Sequence, residues 1–180
     1  MLKKKVLVNG ISNLSDARYC AGMMVDYLSF ELNPDHPDYI PIEKILEIKN
    51  WLIGAKIGGR ISTWPADFDW PAFKPDFLVL ETEKLLDQAS ELVNEVFIES
   101  SVSDVKSDST VKVNFIVTDP DAVTLEGDSI FIVQPDNEEL LKYVIDAEQI
   151  SGISLRSSRE VRPGFSEYGE LMEILEMLED

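Results

Sequence analysis

Short apolar runs alternate with stretches of helical periodicity along the whole chain. Strand-like runs fall at Lys5–Val8, Tyr27–Leu32, Ala55–Gly58, Phe77–Leu80, Val96–Ile98, Lys112–Val117, Ser129–Val133 and Gly152–Leu155, eight in all. FIVT (Phe115–Thr118) and IFIV (Ile130–Val133) are continuous β-branched and aromatic runs, the mark of parallel strands buried on both faces.

Helical spacing is clear after five of these strands. Asn13 is placed to cap the first helix, with Asp16 in its opening turn. Pro41 opens the second, whose stripe is Ile42, Ile45, Leu46 and Lys49. Leu85, Leu86, Ala89, Leu92 and Val93 predict another, Leu140, Leu141, Val144 and Ile145 the next, and Leu171, Ile174, Leu175 and Leu178 the last. The other three connections are poor in helix formers. Ser62–Pro75 carries three prolines with Trp64, Phe68 and Trp70; Ser100–Thr110 is rich in serine and aspartate; Thr118–Asp128 has room for little more than one helical turn. The pattern predicts an α/β fold over residues 1–180, a single compact (β/α)8 barrel with several helices shortened or missing. A chain of 180 residues is short for a fold that usually takes about 200 or more.

Composition narrows the function classes. The 16 basic and 34 acidic residues give a net charge of −18, which disfavours nucleic acid and anionic membrane surfaces as partners. The one cysteine, Cys20, allows no intrachain disulfide and fits a reducing cytoplasm. No apolar run reaches the roughly 18 residues that span a bilayer, and MLKKKVLV lacks the apolar region of a signal peptide.

In a parallel barrel, chemistry is placed at the C-terminal ends of the strands. Those ends carry Asn9, Glu31, Asn33, Arg60, Glu81, Glu99, Asp119, Gln134, and Arg156 with Ser157, Ser158 and Arg159. Ser157, Ser158 and neighbouring amides, expected to precede a helix, with Arg156, Arg159 and Arg162 nearby, suit an anion. His36, the only histidine, lies in the loop after the second strand, where it could act as acid or base. One His and one Cys give no metal pattern, and no P-loop or dinucleotide-binding glycine fingerprint is present, so neither metal nor cofactor is expected.

Three segments, KVLVNGISNLSD (Lys5–Asp16), YLSFELNPDHPDYI (Tyr27–Ile40) and ISLRSSREVRPGFSE (Ile153–Glu167), together resemble the phosphoribosylanthranilate isomerase family of tryptophan biosynthesis. That resemblance implies a (β/α)8 barrel and a sugar-phosphate ligand. It keeps the family's skeleton and loses its chemistry. The family's catalytic cysteine falls on Asn9, which cannot titrate. The arginine of the second loop falls on Asp38, and the aspartate of the eighth strand on Ser154. Ser157, Glu160 and Pro163-Gly164 match, but the glycine that approaches phosphate is Ser158, and the Gly-Gly after strand seven is Gln134-Pro135. Asp119 lies near the position of the family's general acid.

The resemblance therefore implies a divergent barrel that lacks the isomerase reaction and binds a small anionic or sugar-phosphate ligand. The expected pocket is where Asn9, Arg60, Glu81, Asp119 and Arg156 meet, with Ser157, Ser158 and Arg159 at its anion end. Two alternatives stand beside this reading. One is an active isomerase with a relocated acid and base, Asp119 with His36; the other is a non-catalytic interaction protein with an exposed Trp64–Phe68–Trp70 loop as its contact surface.

Overall fold

A computed structural model describes residues 2–99, 111–117, 129–133, 138–157, 160–162, 165–166 and 169–179. Eight parallel strands close into a barrel: β1 (Lys5–Asn9), β2 (Tyr27–Glu31), β3 (Lys56–Ile61), β4 (Phe77–Leu80), β5 (Glu95–Glu99), β6 (Lys112–Val117), β7 (Ser129–Val133) and β8 (Gly152–Arg156). Each pairs with the next, and β1 closes on β8 in the register Leu7↔Ser154 and Asn9↔Arg156. The helices are α1 (Leu14–Gly22), α2 (Ile42–Lys49), α3 (Trp70–Phe73), α4 (Leu86–Ser90), α5 (Glu138–Asp146) and α6 (Gly169–Leu178). A two-stranded antiparallel hairpin, β9 (Glu160–Arg162) with β10 (Phe165–Ser166), lies between β8 and α6.

Local chemistry explains the starts of these elements. Asn13 caps α1, its Oδ1 accepting the Asp16 amide at 2.9 Å. Pro41 is the cap of α2 rather than its first helical residue. Asp26 and Asp76 each precede an inward-facing aromatic and tie their strand to the one before. Their carboxylates accept the Val6 amide at 2.9 Å and the Ile57 amide at 2.8 Å.

The connection after β3 is reduced, as expected: α3 has four residues. Its aromatics replace the missing helix by packing locally, with ring centroids 5.0 Å apart for Trp64–Trp70, 4.8 Å for Phe68–Trp70 and 5.6 Å for Phe68–Phe73. All three expected contact residues are partly buried in the core, which corrects the exposed-loop expectation. Among the described residues, the large apolar side chains exposed instead are Met24, Trp51, Ile53 and Tyr143. The helix expected around Leu85–Val93 is also short, a single 3-10 turn (Glu83–Leu85) running into the five residues of α4, because the chain must turn at Leu92 to enter β5. The reduced connections expected after strands five and six lie outside the described residues.

Inside the barrel, side chains stack in layers. The central layer is aromatic: Tyr27, Phe77 and Phe97 meet edge to face with centroids 5.0–5.3 Å apart. Beneath it, Glu95 accepts hydrogen bonds from Lys112 Nζ (2.7 Å), Lys56 Nζ (2.5 Å), Asn114 Nδ2 (3.2 Å) and the Tyr27 hydroxyl (3.2 Å).

The aromatic layer depends on Gly58 of β3, and the packing of Leu32 on Gly59. A Cβ on Gly58 would stand 2.6 Å from the Phe77 carbonyl oxygen and 2.7 Å from its ring, and one on Gly59 would stand 2.3 Å from a Leu32 methyl. Gly58→Ala is therefore expected to destabilise the fold by about 1–3 kcal/mol, because backbone on β4 would have to move. Urea unfolding checks this; an unchanged midpoint would mean that the barrel relaxes freely there.

Candidate functional site

The C-terminal ends of the strands gather the polar residues that the sequence places there, and the geometry shows how they are used. Asn9, at the end of β1, is 6% exposed. Its Oδ1 accepts the Ser29 hydroxyl at 2.5 Å, and its Nδ2 donates to Ser154 Oγ at 3.0 Å. The amide thus links β2, β1 and β8, and neither end of it can take up or release a proton near neutral pH. Ser154, on the aspartate position of the resemblance, completes this neutral network.

Arg60 occupies the middle of the mouth. The strand-like run expected to end at Gly58 continues to Ile61, which carries Arg60 into the barrel instead of leaving it in a loop. Its guanidinium donates to Glu99 through Nε (3.0 Å) and Nη2 (2.8 Å) and to Glu31 through Nη1 (2.8 Å), and Nη2 lies 2.6 Å from Glu81 Oε1. Burial opposes its charge, but Glu99, Glu31 and Glu81 outweigh burial and hold its pKa above the ordinary arginine value. This is the arrangement missed in the sequence. Glu31 and Glu99 stand out there as polar strand ends, but nothing in the spacing shows that strands two, four and five supply three carboxylates to one guanidinium.

His36 sits at the rim. Its Nδ1 accepts the Asp38 amide at 3.1 Å, so the proton of the neutral ring belongs on Nε2. Glu31 Oε2 lies 3.7 Å and Asp38 Oδ2 3.9 Å from that same Nδ1, where a lone pair rather than a proton faces them. Asp38 also lies over Gly10, whose φ of +76° only glycine adopts without strain; a Cβ there would stand 3.8 Å from Asp38 Oδ2.

At the end of β8, Arg156 borders the mouth with an exposed side chain. The Ser157 amide donates to the Asn9 carbonyl at 2.8 Å, and its hydroxyl donates to Asp16 Oδ2 at 2.8 Å. Asp16 is fully buried, and its other oxygen has no hydrogen-bond partner among the described residues. Between Ser157 and the helix it is expected to precede lies the β9–β10 hairpin; among the described residues that helix, α6, begins at Gly169. Asp119, Ser158 and Arg159 lie outside the described residues. The cavity enclosed by Asn9, Glu31, His36, Asp38, Arg60 and Arg156 is about 40 Å³, room for a few water molecules. Among the described residues no group of His, Cys, Asp and Glu is arranged to hold a metal ion, and no helix is long and apolar enough to cross a membrane. Cys20 lies outside the site; burial pushes its thiol up to about 12, well away from thiolate chemistry.

No family model and no curated protein sequence matches the chain. Solved structures do. The phosphoribosyl anthranilate isomerase of Thermus thermophilus superposes with a TM-score of 0.74 at 17% identity, covering 97% of this chain and 98% of that one. TrpF from Jonesia denitrificans gives 0.72 at 13% identity, covering 96% and 95%. A phosphoribosyl anthranilate isomerase in complex with reduced 1-(o-carboxyphenylamino)-1-deoxyribulose 5-phosphate gives 0.69 at 17% identity, covering 96% and 97%. At these identities the likeness speaks for architecture alone, and on that level the resemblance carried by the three segments is shown: this chain folds as the barrel of the phosphoribosylanthranilate isomerases.

Proposed function

We propose that this protein is a divergent phosphoribosylanthranilate isomerase-like barrel that does not catalyse the isomerisation. The observation that carries this reading is the state of Asn9. It stands where the resemblance puts the catalytic base, and both ends of its amide are bound to serines in a buried network. An Amadori-type rearrangement opens a ring and moves a proton, so it needs a base that titrates, and each well-placed acid or base typically contributes about 10² to 10⁴ in rate. The Arg60 cluster also fills the mouth, and Asp38 puts negative charge where the resemblance expects an arginine for a substrate carboxylate. A place in the cytoplasm fits a chain whose one cysteine is buried.

Complementation of a tryptophan auxotroph lacking the isomerase tests the proposal. No growth is expected. Robust growth would overturn it and move attention to Asp119 with His36 as a relocated acid and base.

A small anionic or sugar-phosphate ligand is the finer part of this reading, and Arg156 is the observation that favours it. Arg156 borders the mouth beside Ser157, at the end of the barrel where the resemblance implies an anion. Phosphate titrated by NMR is expected to move signals near Arg156 and Ser157, and Arg156→Ala to weaken that binding by about 1.5–3 kcal/mol, the scale of a hydrogen bond to a charged group. Shifts elsewhere, or an unchanged affinity, would remove the anion from the proposal.

A further inference from the structure

Beside the small mouth lies a much larger groove of about 670 Å³, between the loop that follows β2 and the loop that follows β3. Its size is within the usual range for small-molecule sites, roughly 300–1,000 Å³. We propose that this groove binds a small organic cation, an amine carried on an apolar or aromatic body. The inference goes beyond the proposed function and does not depend on it: the groove binds or fails to bind whatever the complementation result.

The groove is built before any ligand arrives. Asn33, 7% exposed, ties its two walls together. Its Nδ2 donates to the Thr63 carbonyl and to Thr63 Oγ1, both at 2.9 Å, and its Oδ1 accepts the Ser62 amide at 2.7 Å and the Ser62 hydroxyl at 3.2 Å. Four hydrogen bonds from one buried side chain fix the separation of the walls, so binding costs little ordering of the protein. Phe68, on the far wall, is anchored in turn by its packing on Trp70 and Phe73.

The chemistry of the lining selects the ligand's sign. Leu32, Tyr39, Ile42, Pro65 and Phe68 offer an apolar and aromatic surface, and ammonium groups are also drawn to aromatic faces. Asp35, Asp67, Asp69 and Glu81 line the same space, and none of the described lining residues is Lys or Arg. His36 lines the space as well, its Nδ1 accepting the Asp38 amide at 3.1 Å. Asp69 accepts the Ala72 amide and Glu81 shares Arg60 with Glu31 and Glu99, whereas Asp35 and Asp67 have no ion-pair partner among the described residues. Exposed carboxylates alone would mean little in a chain of net charge −18. The conjunction decides: a preformed apolar hollow at the strand C-termini, edged by carboxylates with no cation among the described residues lining it. An acidic or phosphorylated ligand would meet like charge on every side, whereas an amine would place its body on the apolar surface and its ammonium among acceptors.

A matched pair of probes tests the proposal, phenethylamine and phenylacetate, which share a ring and differ in the sign of their charge. Each is titrated into the full chain and followed by two-dimensional NMR. Phenethylamine is expected to move amide signals of Asn33–Tyr39 and Ser62–Phe68, and phenylacetate to leave them in place. Asp35→Asn with Asp67→Asn, two exposed changes outside every helix and strand, is expected to weaken phenethylamine roughly two- to tenfold, on the scale of exposed ion pairs. Phenylacetate binding as well as the amine, shifts confined to another surface, no shifts with either probe, or an affinity untouched by loss of both carboxylates would each overturn the proposal.

Discussion

Arg60→Met is expected to remove about 3–5 kcal/mol of stability, the usual cost of taking one partner from a buried ion pair and leaving the other behind. Glu31 is 2% exposed and would lose its guanidinium, while Glu81 and Glu99, each about a third exposed, would face it across the mouth. Since a domain is stable by only about 5–15 kcal/mol, the variant would be visibly fragile. Arg60→Lys is expected to rescue little, because a single ammonium cannot reproduce the two-pronged contact with Glu99. Adding Glu31→Gln to Arg60→Met should recover part of the loss, since it removes the stranded charge; a double-mutant cycle by urea unfolding measures the coupling. A loss below about 1 kcal/mol for Arg60→Met would mean that water solvates the cluster as it does a surface pair.

The second large effect belongs to the opposite end of the barrel. Burial pushes the Glu95 carboxyl up, but hydrogen bonds from Lys112, Lys56 and Asn114 outweigh burial and bring it from 4.5 down to about 2. Folding therefore favours its ionised form. The contribution is complete above pH 4.5, fades as pH falls, and is gone near pH 2. Allowing for lysines that are about half exposed, it amounts to roughly 2–3 kcal/mol. Glu95→Gln is expected to lower stability by about that amount at pH 7 and to narrow the gap from wild type steadily as pH is lowered from 4.5 towards 2. Chemical unfolding at neutral and acid pH checks both statements. A gap that stays constant with pH would show that Glu95 acts through packing alone.

How much of this was legible in the sequence differs between framework and site. All eight strands are found where continuous apolar runs put them, because a strand buried on both faces has little choice of residue. β1, β5 and β8 each run a residue beyond an expected end, and β3 runs three residues further, to Ile61. KIGGRI reads like a strand entering a turn, since two glycines and an arginine signal a loop in isolation; only the bulk of Phe77 and Leu32 on neighbouring elements explains why glycine is needed there. The hairpin after β8 is hidden for a similar reason. The serine-rich lead suggests a helix start, although Glu160–Arg162 and Phe165–Ser166 flank a Pro-Gly pair, a turn signal. At the site, alternation along each strand tells which side chains reach the mouth but not how they pair. Asn9, Arg60 and Glu81 were each visible, but the sharing of Arg60 among three glutamates from three other strands is a property of the closed barrel and of no local stretch of sequence.

The two ionic clusters together give the barrel an electrical polarity. At the base, Lys56 and Lys112 against Glu95 leave one net positive charge; at the mouth, Arg60 against Glu31, Glu81 and Glu99 leaves two net negative charges. Glu95 and Glu99 lie on one strand, about 13 Å apart at a rise of roughly 3.3 Å per residue, with the dry ring layer of Tyr27, Phe77 and Phe97 as the dielectric between. A low-dielectric filling between unlike poles concentrates field lines at the open end instead of screening them. A solute approaching the mouth is thus sorted by sign while still in solution, and the phosphate proposed at Arg156 would bind against that field rather than with it. That sorting weakens with added salt, because the Debye length shrinks from about 10 Å at 0.1 M to about 3 Å at 1 M.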